Sequence, residues 1–211
     1  MKRLFIISGV LVFWFGLFSC KDVNEPVYES YGTSFPLSIG SWWQYGIVDT
    51  LIYTYTGVIE IHYDTVRATI EDSTTLPNGK SATVWIYEFK DRTDTLYASL
   101  SDDTLLFYRW DGKILTVRSG FILPLQIDQQ WQLSILDYEV ESMEDIEVPA
   151  GKFKNVFLVR EHERQGNAFG WNSYYIAPDF GIIKYKYGTF VTLSEINHKI
   201  EWKLLSFYVP Q

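Results

Sequence analysis

A ten-residue stretch of this chain occurs twice, and that duplication constrains the fold more than any other feature. Phe35-Pro36-Leu37-Ser38-Ile39-Gly40-Ser41-Trp42-Trp43-Gln44 returns as Leu123-Pro124-Leu125-Gln126-Ile127-Asp128-Gln129-Gln130-Trp131-Gln132, with Pro, Leu, Ile, Trp and Gln aligned without a gap. Two further pairs follow in the same order. Leu76-Pro77-Asn78-Gly79-Lys80 leads to Val84-Trp85-Ile86-Tyr87, and Val148-Pro149-Ala150-Gly151-Lys152 leads to Val156-Phe157-Leu158-Val159. Leu105 to Arg109 then matches Ile182 to Lys186. The separations are 88, 72 and 77 residues, so the halves, about 35–118 and 123–209, differ by insertions. Two copies are too few for a solenoid; they suit one sheet or barrel whose halves complete a shared core. Convergent turn chemistry is the competing explanation, because Pro and Gly mark turns in any sequence.

Between the turns the pattern is that of strands. The chain carries 15 Tyr and 14 Phe, and aromatic and β-branched residues suit a half-buried pleated surface. Thr83, Trp85, Tyr87 and Phe89 alternate onto one face, as do Ile200, Trp202 and Leu204. Ile59, Ile61 and Tyr63 alternate with Glu60, His62 and Asp64. Leu105–Trp110, Asp111-Gly112 and Lys113–Arg118 read as a hairpin, since Asp-Gly favours the turn whose twist matches its strands. The second half reads as strands at Trp131–Val140, Ile146–Val148, Phe153–Glu161, Ser173–Ala177, Gly181–Tyr187, Phe190–Ile196 and Lys199–Val209. No stretch has a helical period. The expectation is an all-β protein: a curved antiparallel sheet or open half-barrel of about eleven strands, with a β-sandwich or closed barrel as the alternative.

The N-terminus has the form of an export signal. Lys2 and Arg3 precede an apolar run from Leu4 to Phe18, and the lone cysteine, Cys20, follows Leu17-Phe18-Ser19. Those 15 residues fall short of the roughly 20 that a spanning helix needs. They suit the core of a signal peptide ending in a lipoprotein-type cleavage site. Residues 1–19 are then the signal, and Cys20 takes a diacylglycerol, with a further acyl chain such as palmitate on its new amine. Two or more chains hold a protein on a membrane where one does not. An uncleaved anchor and a plain secretory peptide are the competing readings. Residues 20–34, polar and proline-bearing, read as a flexible tether, and 35–211 as one β domain. Of 18 basic residues, Lys2 and Arg3 leave with the signal, so 16 face 26 acidic ones. That balance argues against nucleic acid as a partner.

Pro-Leu-x-Ile-Gly-x-x-Trp at Pro36–Trp43, Val-Pro-Ala-Gly-Lys-Phe at Val148–Phe153 and Tyr-Tyr-Ile-Ala-Pro-Asp-Phe-Gly-Ile-Ile-Lys at Tyr174–Lys184 together resemble a broad group of envelope-associated bacterial proteins, often lipoproteins, common in the Bacteroidota. The resemblance implies a curved antiparallel sheet akin to the half-barrels of lipoprotein carriers. It brings no catalytic residue with it. Asp128 stands where the first copy has Gly40, which implies a different turn in the second half.

The search for chemistry returns no catalytic or metal site and no cofactor motif. His62, His162 and His198 share no ligand spacing. Arg160-Glu161-His162-Glu163-Arg164 lies in an expected strand and reads as a solvated charged face rather than a reactive cluster. Asp102-Asp103 and Glu144-Asp145 read as turn and solubility residues, against a glycosidase pair, whose separation sequence does not give. Trp43 and Trp131 read as paired core anchors. Trp110 and Trp171, near turns, are either surface residues or stacking platforms for sugars. The functional expectation is a non-enzymatic, lipid-anchored envelope protein. Its place would be the outer membrane, on the periplasmic or surface face, since Lys21 is not the Asp that marks inner-membrane retention. Its partner would be a lipid, another apolar ligand or an envelope protein. The alternative is a surface interaction or carbohydrate-binding module.

Overall fold

The computed structural model describes residues 25–165, 168–191 and 196–210. Among them there are thirteen strands and no helix. A short β1 (Val27–Glu29) precedes the first half, β2 (Trp42–Tyr53), β3 (Ile59–Thr75), β4 (Ser81–Phe89), β5 (Thr93–Ser101), β6 (Thr104–Trp110) and β7 (Leu115–Ile122). The second half is β8 (Gln130–Leu133), β9 (Leu136–Val148), β10 (Gly151–Gln165), β11 (Ala168–Ala177), β12 (Gly181–Val191) and β13 (Ile196–Tyr208). Twelve strands form one antiparallel sheet in the order β7-β6-β5-β4-β3-β2-β13-β12-β11-β10-β9-β8, and β1 adds to β10 in parallel. The sheet curls until its two ends nearly meet.

The duplication is built into this architecture. Each half contributes six strands, so β2 corresponds to β8, β6 to β12, and β7 to β13. The Trp-bearing motif opens each half with the same turn. Gly40 (φ 89) and Asp128 (φ 65) are both left-handed. Ser41 N donates to Ser38 O and Gln129 N to Gln126 O, each at 3.1 Å. Gly40 N donates to Ile70 O, and Asp128 N to Val140 O, at 2.8 and 2.9 Å. The register then slips past Ile70 in β3 and past Val140 in β9, so Glu71 and Glu141 fall at matching irregularities. Asp128 therefore does not change the turn, contrary to the expectation drawn from Gly40. Asp tolerates the left-handed region far better than most residues.

The symmetry breaks at the joins. β2 pairs with β13 from Trp42↔Tyr208 to Tyr53↔Ile196. The equivalent join would zip β8 to β7, but β8 has 4 residues and the two strands do not pair. A hydrogen bond from Trp131 Nε1 to Gly120 O at 3.2 Å crosses this seam. The expected single strand Trp131–Val140 is in fact broken at Ser134, whose φ of 58 turns β8 into β9. Ile146–Val148 is the end of that same β9.

Antiparallel order sends successive turns to opposite ends of the barrel. One end is sealed. Phe35, Leu123 and Leu125, all buried, come from the two copies of the motif and fill it. Above them Trp43 stacks on Trp85 at 4.9 Å, and Phe107 meets Phe35 at 6.0 Å and Phe121 at 6.2 Å. Phe121 of β7 touches Tyr174 of β11 at 5.2 Å, so this layer spans the barrel. Trp43 donates from Nε1 to Phe180 O at 2.6 Å, and Gly181 (φ 91) lets the backbone pass beside its indole. Burial of these side chains, about 25 cal/mol per Å² of apolar surface, is the main stabilising term.

Part of the segment expected as a tether is docked. Lys152 N donates to Pro26 O at 2.9 Å, Tyr28 stacks on Phe153 at 4.7 Å, and Asp179 Oδ2 accepts from Tyr31 N and Gly32 N. Three residues are too few to show a strand period, which is why polarity alone suggested a spacer. Cys20 and the signal region, 1–19, lie outside the described residues. The expected strand Phe190–Ile196 is shared between the ends of β12 and β13, with 192–195 also outside them.

Candidate functional site

Burial along β2 locates the open end of the barrel. Its inward residues go from 1% exposed at Trp43 through 5% at Tyr45 and 8% at Ile47 to a side chain 35% exposed at Asp49. Asp49 faces His62 of β3, also well exposed. Above the sealed layer, inward residues are aromatic yet only half-buried: Tyr87, Phe89, Tyr185, Tyr187 and Trp202. Solvent reaches them from the mouth, so the barrel is a cup. Trp202 lies at its centre, 5.7 to 6.5 Å from Tyr45, Tyr87, Phe89 and Tyr185.

A carboxylate is set into the wall. Glu161 of β10 is 4% exposed. In register it lies between Tyr138 of β9 and Asn172 of β11, so all three point inward. Asn172 Nδ2 donates to Glu161 Oε1, and Tyr174 Oη donates to Oε2 at 3.2 Å. Tyr185 Oη donates to Asn172 Oδ1 at 2.6 Å, which joins the cluster to the aromatic ring around Trp202. The Tyr138 hydroxyl is buried without a hydrogen bond of good geometry. Burial pushes the Tyr138, Tyr174 and Tyr185 hydroxyls well above the ordinary tyrosine range, and the Glu161 charge pushes them further. They are neutral donors around an acceptor. A buried carboxylate costs several kcal/mol unless hydrogen bonds offset it, and such groups are enriched where proteins bind or react.

The rim of the cup is polar. His198 Nε2 lies 2.7 Å from Asp49 Oδ1. Arg109 and Arg92 each approach Asp94 at 3.6 Å, and Arg92 covers the Phe89 ring at 4.0 Å.

The residues singled out in the sequence scatter over this frame. Strand period splits Arg160, Glu161 and His162 between two faces: Arg160 points outward to Glu141 at 2.9 Å and to Ser173, His162 is exposed, and Glu161 is inside. The reading of this run as a solvated face is thus corrected for Glu161. His62 of β3 and His198 of β13 both lie beside Asp49 at the mouth, while His162 is on the outer face of β10; among the described residues no group of three His, Cys, Asp or Glu could hold a metal. Asp102 and Asp103 form the β5–β6 turn, with φ 55 at Asp102. Asp145 accepts from Asn155 N, beside an irregularity of β10. Trp110, 41% exposed, meets the edge of Tyr97 near the rim. Trp171 lies outside the barrel over Gly188. Sequence reasoning missed the Glu161 cluster because its members come from four strands.

Among the described residues no helix is long and apolar enough to cross a membrane. No family model matches the chain, and no curated protein matches it. Among solved structures it is similar to a DUF1329 family protein from Desulfovibrio piger, at 8% identity and a TM-score of 0.27, covering 79% of this chain and 85% of that one.

Proposed function

We propose that the protein is a non-enzymatic component of the bacterial cell envelope, lipid-anchored through Cys20 in the outer membrane, that holds an apolar ligand in its cup. The observation that carries this reading is the half-buried aromatic lining above a sealed floor. The ligand's apolar body packs on Trp202, Tyr87 and Phe89, and its polar end meets the Glu161–Asn172–Tyr174 cluster. A head group with a hydrogen-bond donor, an alcohol or an amine, suits that acceptor.

On this reading the anchor and the mouth lie at opposite ends. The chain enters beside Lys152 at the sealed end, and Cys20 to Glu25 spans at most about 18 Å. The floor then faces the membrane and the mouth faces away, which suits handing a ligand to a soluble partner rather than scooping it from the bilayer.

Native mass spectrometry of protein extracted from its own membranes tests the cup. A co-purifying apolar molecule is expected in the wild type. Glu161→Gln should weaken its retention about tenfold or more, since hydrogen bonds to charged groups contribute about 1.5–3 kcal/mol. An empty protein, together with Trp202 fluorescence indifferent to apolar probes, would discard the reading. Separately, radiolabelled palmitate should mark the mature chain and leave Cys20→Ala unmarked; equal labelling would remove the anchor.

A further inference from the structure

Outside the barrel, four neighbouring strands carry a surface unlike the rest of this acidic chain. Register places three rows across β10, β11, β12 and β13: Leu158–Tyr175–Lys184–Lys203, Arg160–Ser173–Lys186–Glu201, and His162–Trp171–Gly188–Lys199. Five cations, Arg160, Lys184, Lys186, Lys199 and Lys203, thus share one patch on a chain of formal net charge −8. Among the described residues two carboxylates engage it: Glu141 of β9 pairs with Arg160 at 2.9 Å at the edge, and Glu201 lies in the middle. Glu201 meets Lys184 at 3.0 Å, Lys203 at 3.2 Å and Lys186 at 3.9 Å. One negative charge leaves the three ammonium groups mostly uncompensated. Lys186 carries the sign of this: burial and the Lys184 charge hold its ammonium below the ordinary lysine range.

Two aromatic rings complete the patch. The Lys184 and Lys186 ammonium groups sit 5.3 and 5.8 Å from the Tyr175 ring, so the lysines lie along the sheet rather than project from it. Lys184 is accordingly only 18% exposed. Trp171 crosses β12 at Gly188, where an added Cβ would fall 2.4 Å from its Cζ2. The glycine is what lets the half-buried indole lie on the strand, and Arg160 stands 5.9 Å from its ring.

We infer that this outer wall, centred on Trp171, Lys184 and Lys186, binds a short saccharide bearing carboxylates, a uronic-acid oligosaccharide. A half-exposed indole beside cations offers a stacking face and charge partners together. The patch measures roughly 14 Å across the strands by 13 Å along them, an area that suits a short oligosaccharide. Glu201 shows that the lysine spacing accommodates a carboxylate. Recessed lysines are reached by a small ligand more readily than by a bilayer surface. Screening over about 8 Å at physiological salt lets a short anion feel the patch and not the net negative charge, whereas a long polyanion is repelled.

Calorimetric titration with a galacturonic acid trimer, against a neutral glucose trimer and inorganic phosphate, tests this with the full chain. The charged trimer should bind at least about tenfold more tightly than the neutral one and weaken with added salt. Phosphate should not displace it. Lys184→Gln with Lys186→Gln should cost about tenfold, and Trp171→Ala should weaken both trimers. Circular dichroism establishes that each variant is folded, and the Lys→Gln pair leaves Trp171 in place should Trp171→Ala be unstable. Equal binding of both trimers, full competition by phosphate, or unchanged affinity in the Lys→Gln pair would each overturn the site. Retention of an apolar molecule in the cup is read separately, so either proposal can fail alone.

Discussion

Alkaline solution should unfold this protein cooperatively between about pH 11 and 12, with tyrosine ionisation and loss of strand structure coinciding. Five inward tyrosines, Tyr45, Tyr87, Tyr138, Tyr174 and Tyr185, have hydroxyls raised above the ordinary value of 10, first by burial. The Glu161 charge adds to this at Tyr138, Tyr174 and Tyr185. A raised pKa means the native state keeps a proton that the unfolded chain releases. Below pH 10 both states hold it, and stability is intact. Above that, each such tyrosine costs up to about 1.4 kcal/mol per pH unit, less for Tyr87 and Tyr185, which solvent reaches from the mouth, and five cost at most about 7. Domains of this kind are stable by about 5–15 kcal/mol, so one to two pH units suffice. Near-ultraviolet tyrosinate absorbance and far-ultraviolet circular dichroism, followed together, check this. Tyr87→Phe should lower the slope of the alkaline limb by at most about a fifth. Ionisation of these tyrosines in a protein that keeps its strands would show that the interior is wetter than the geometry implies.

The duplication was legible because it is written in turn chemistry and core anchors, which leave marks at fixed offsets. The faces were less so. Alternation at Ile59, Ile61 and Tyr63 is real, but these side chains point outward and are exposed, while Glu60, His62 and Asp64 face in. There β3 has run past the buried floor to the mouth, and period alone gives two faces without saying which is inside. Glu161 is the converse case. It sits among charged letters and looks solvated, yet its neighbours Tyr138, Asn172, Tyr174 and Tyr185 arrive from β9, β11 and β12. The turn at Ser134-Ile135 escaped notice because it uses neither Gly nor Pro.

The same limit separates the two matched tryptophans, which the sequence ranks as equals. Trp43→Ala should cost about 5 kcal/mol, and Trp131→Ala about 2. Trp43 is 1% exposed, stacks on Trp85 and donates to Phe180 O. Its loss combines a cavity of about 3–5 kcal/mol with a carbonyl left unpaired. At roughly 2–4 °C per kcal/mol for a chain of this size, melting should fall by about 10–20 °C. Trp131 is half-buried on the unzipped side, stacked on Tyr138 at 5.2 Å. Its bond to Gly120 crosses the seam, so its removal should loosen β7 and β8 and speed ligand exchange while the core persists. Urea unfolding of both variants, with amide exchange resolved to β7 and β8, distinguishes the two roles. Equal costs, or exchange no faster along β7 in Trp131→Ala, would mean that the open join is held by something other than this indole.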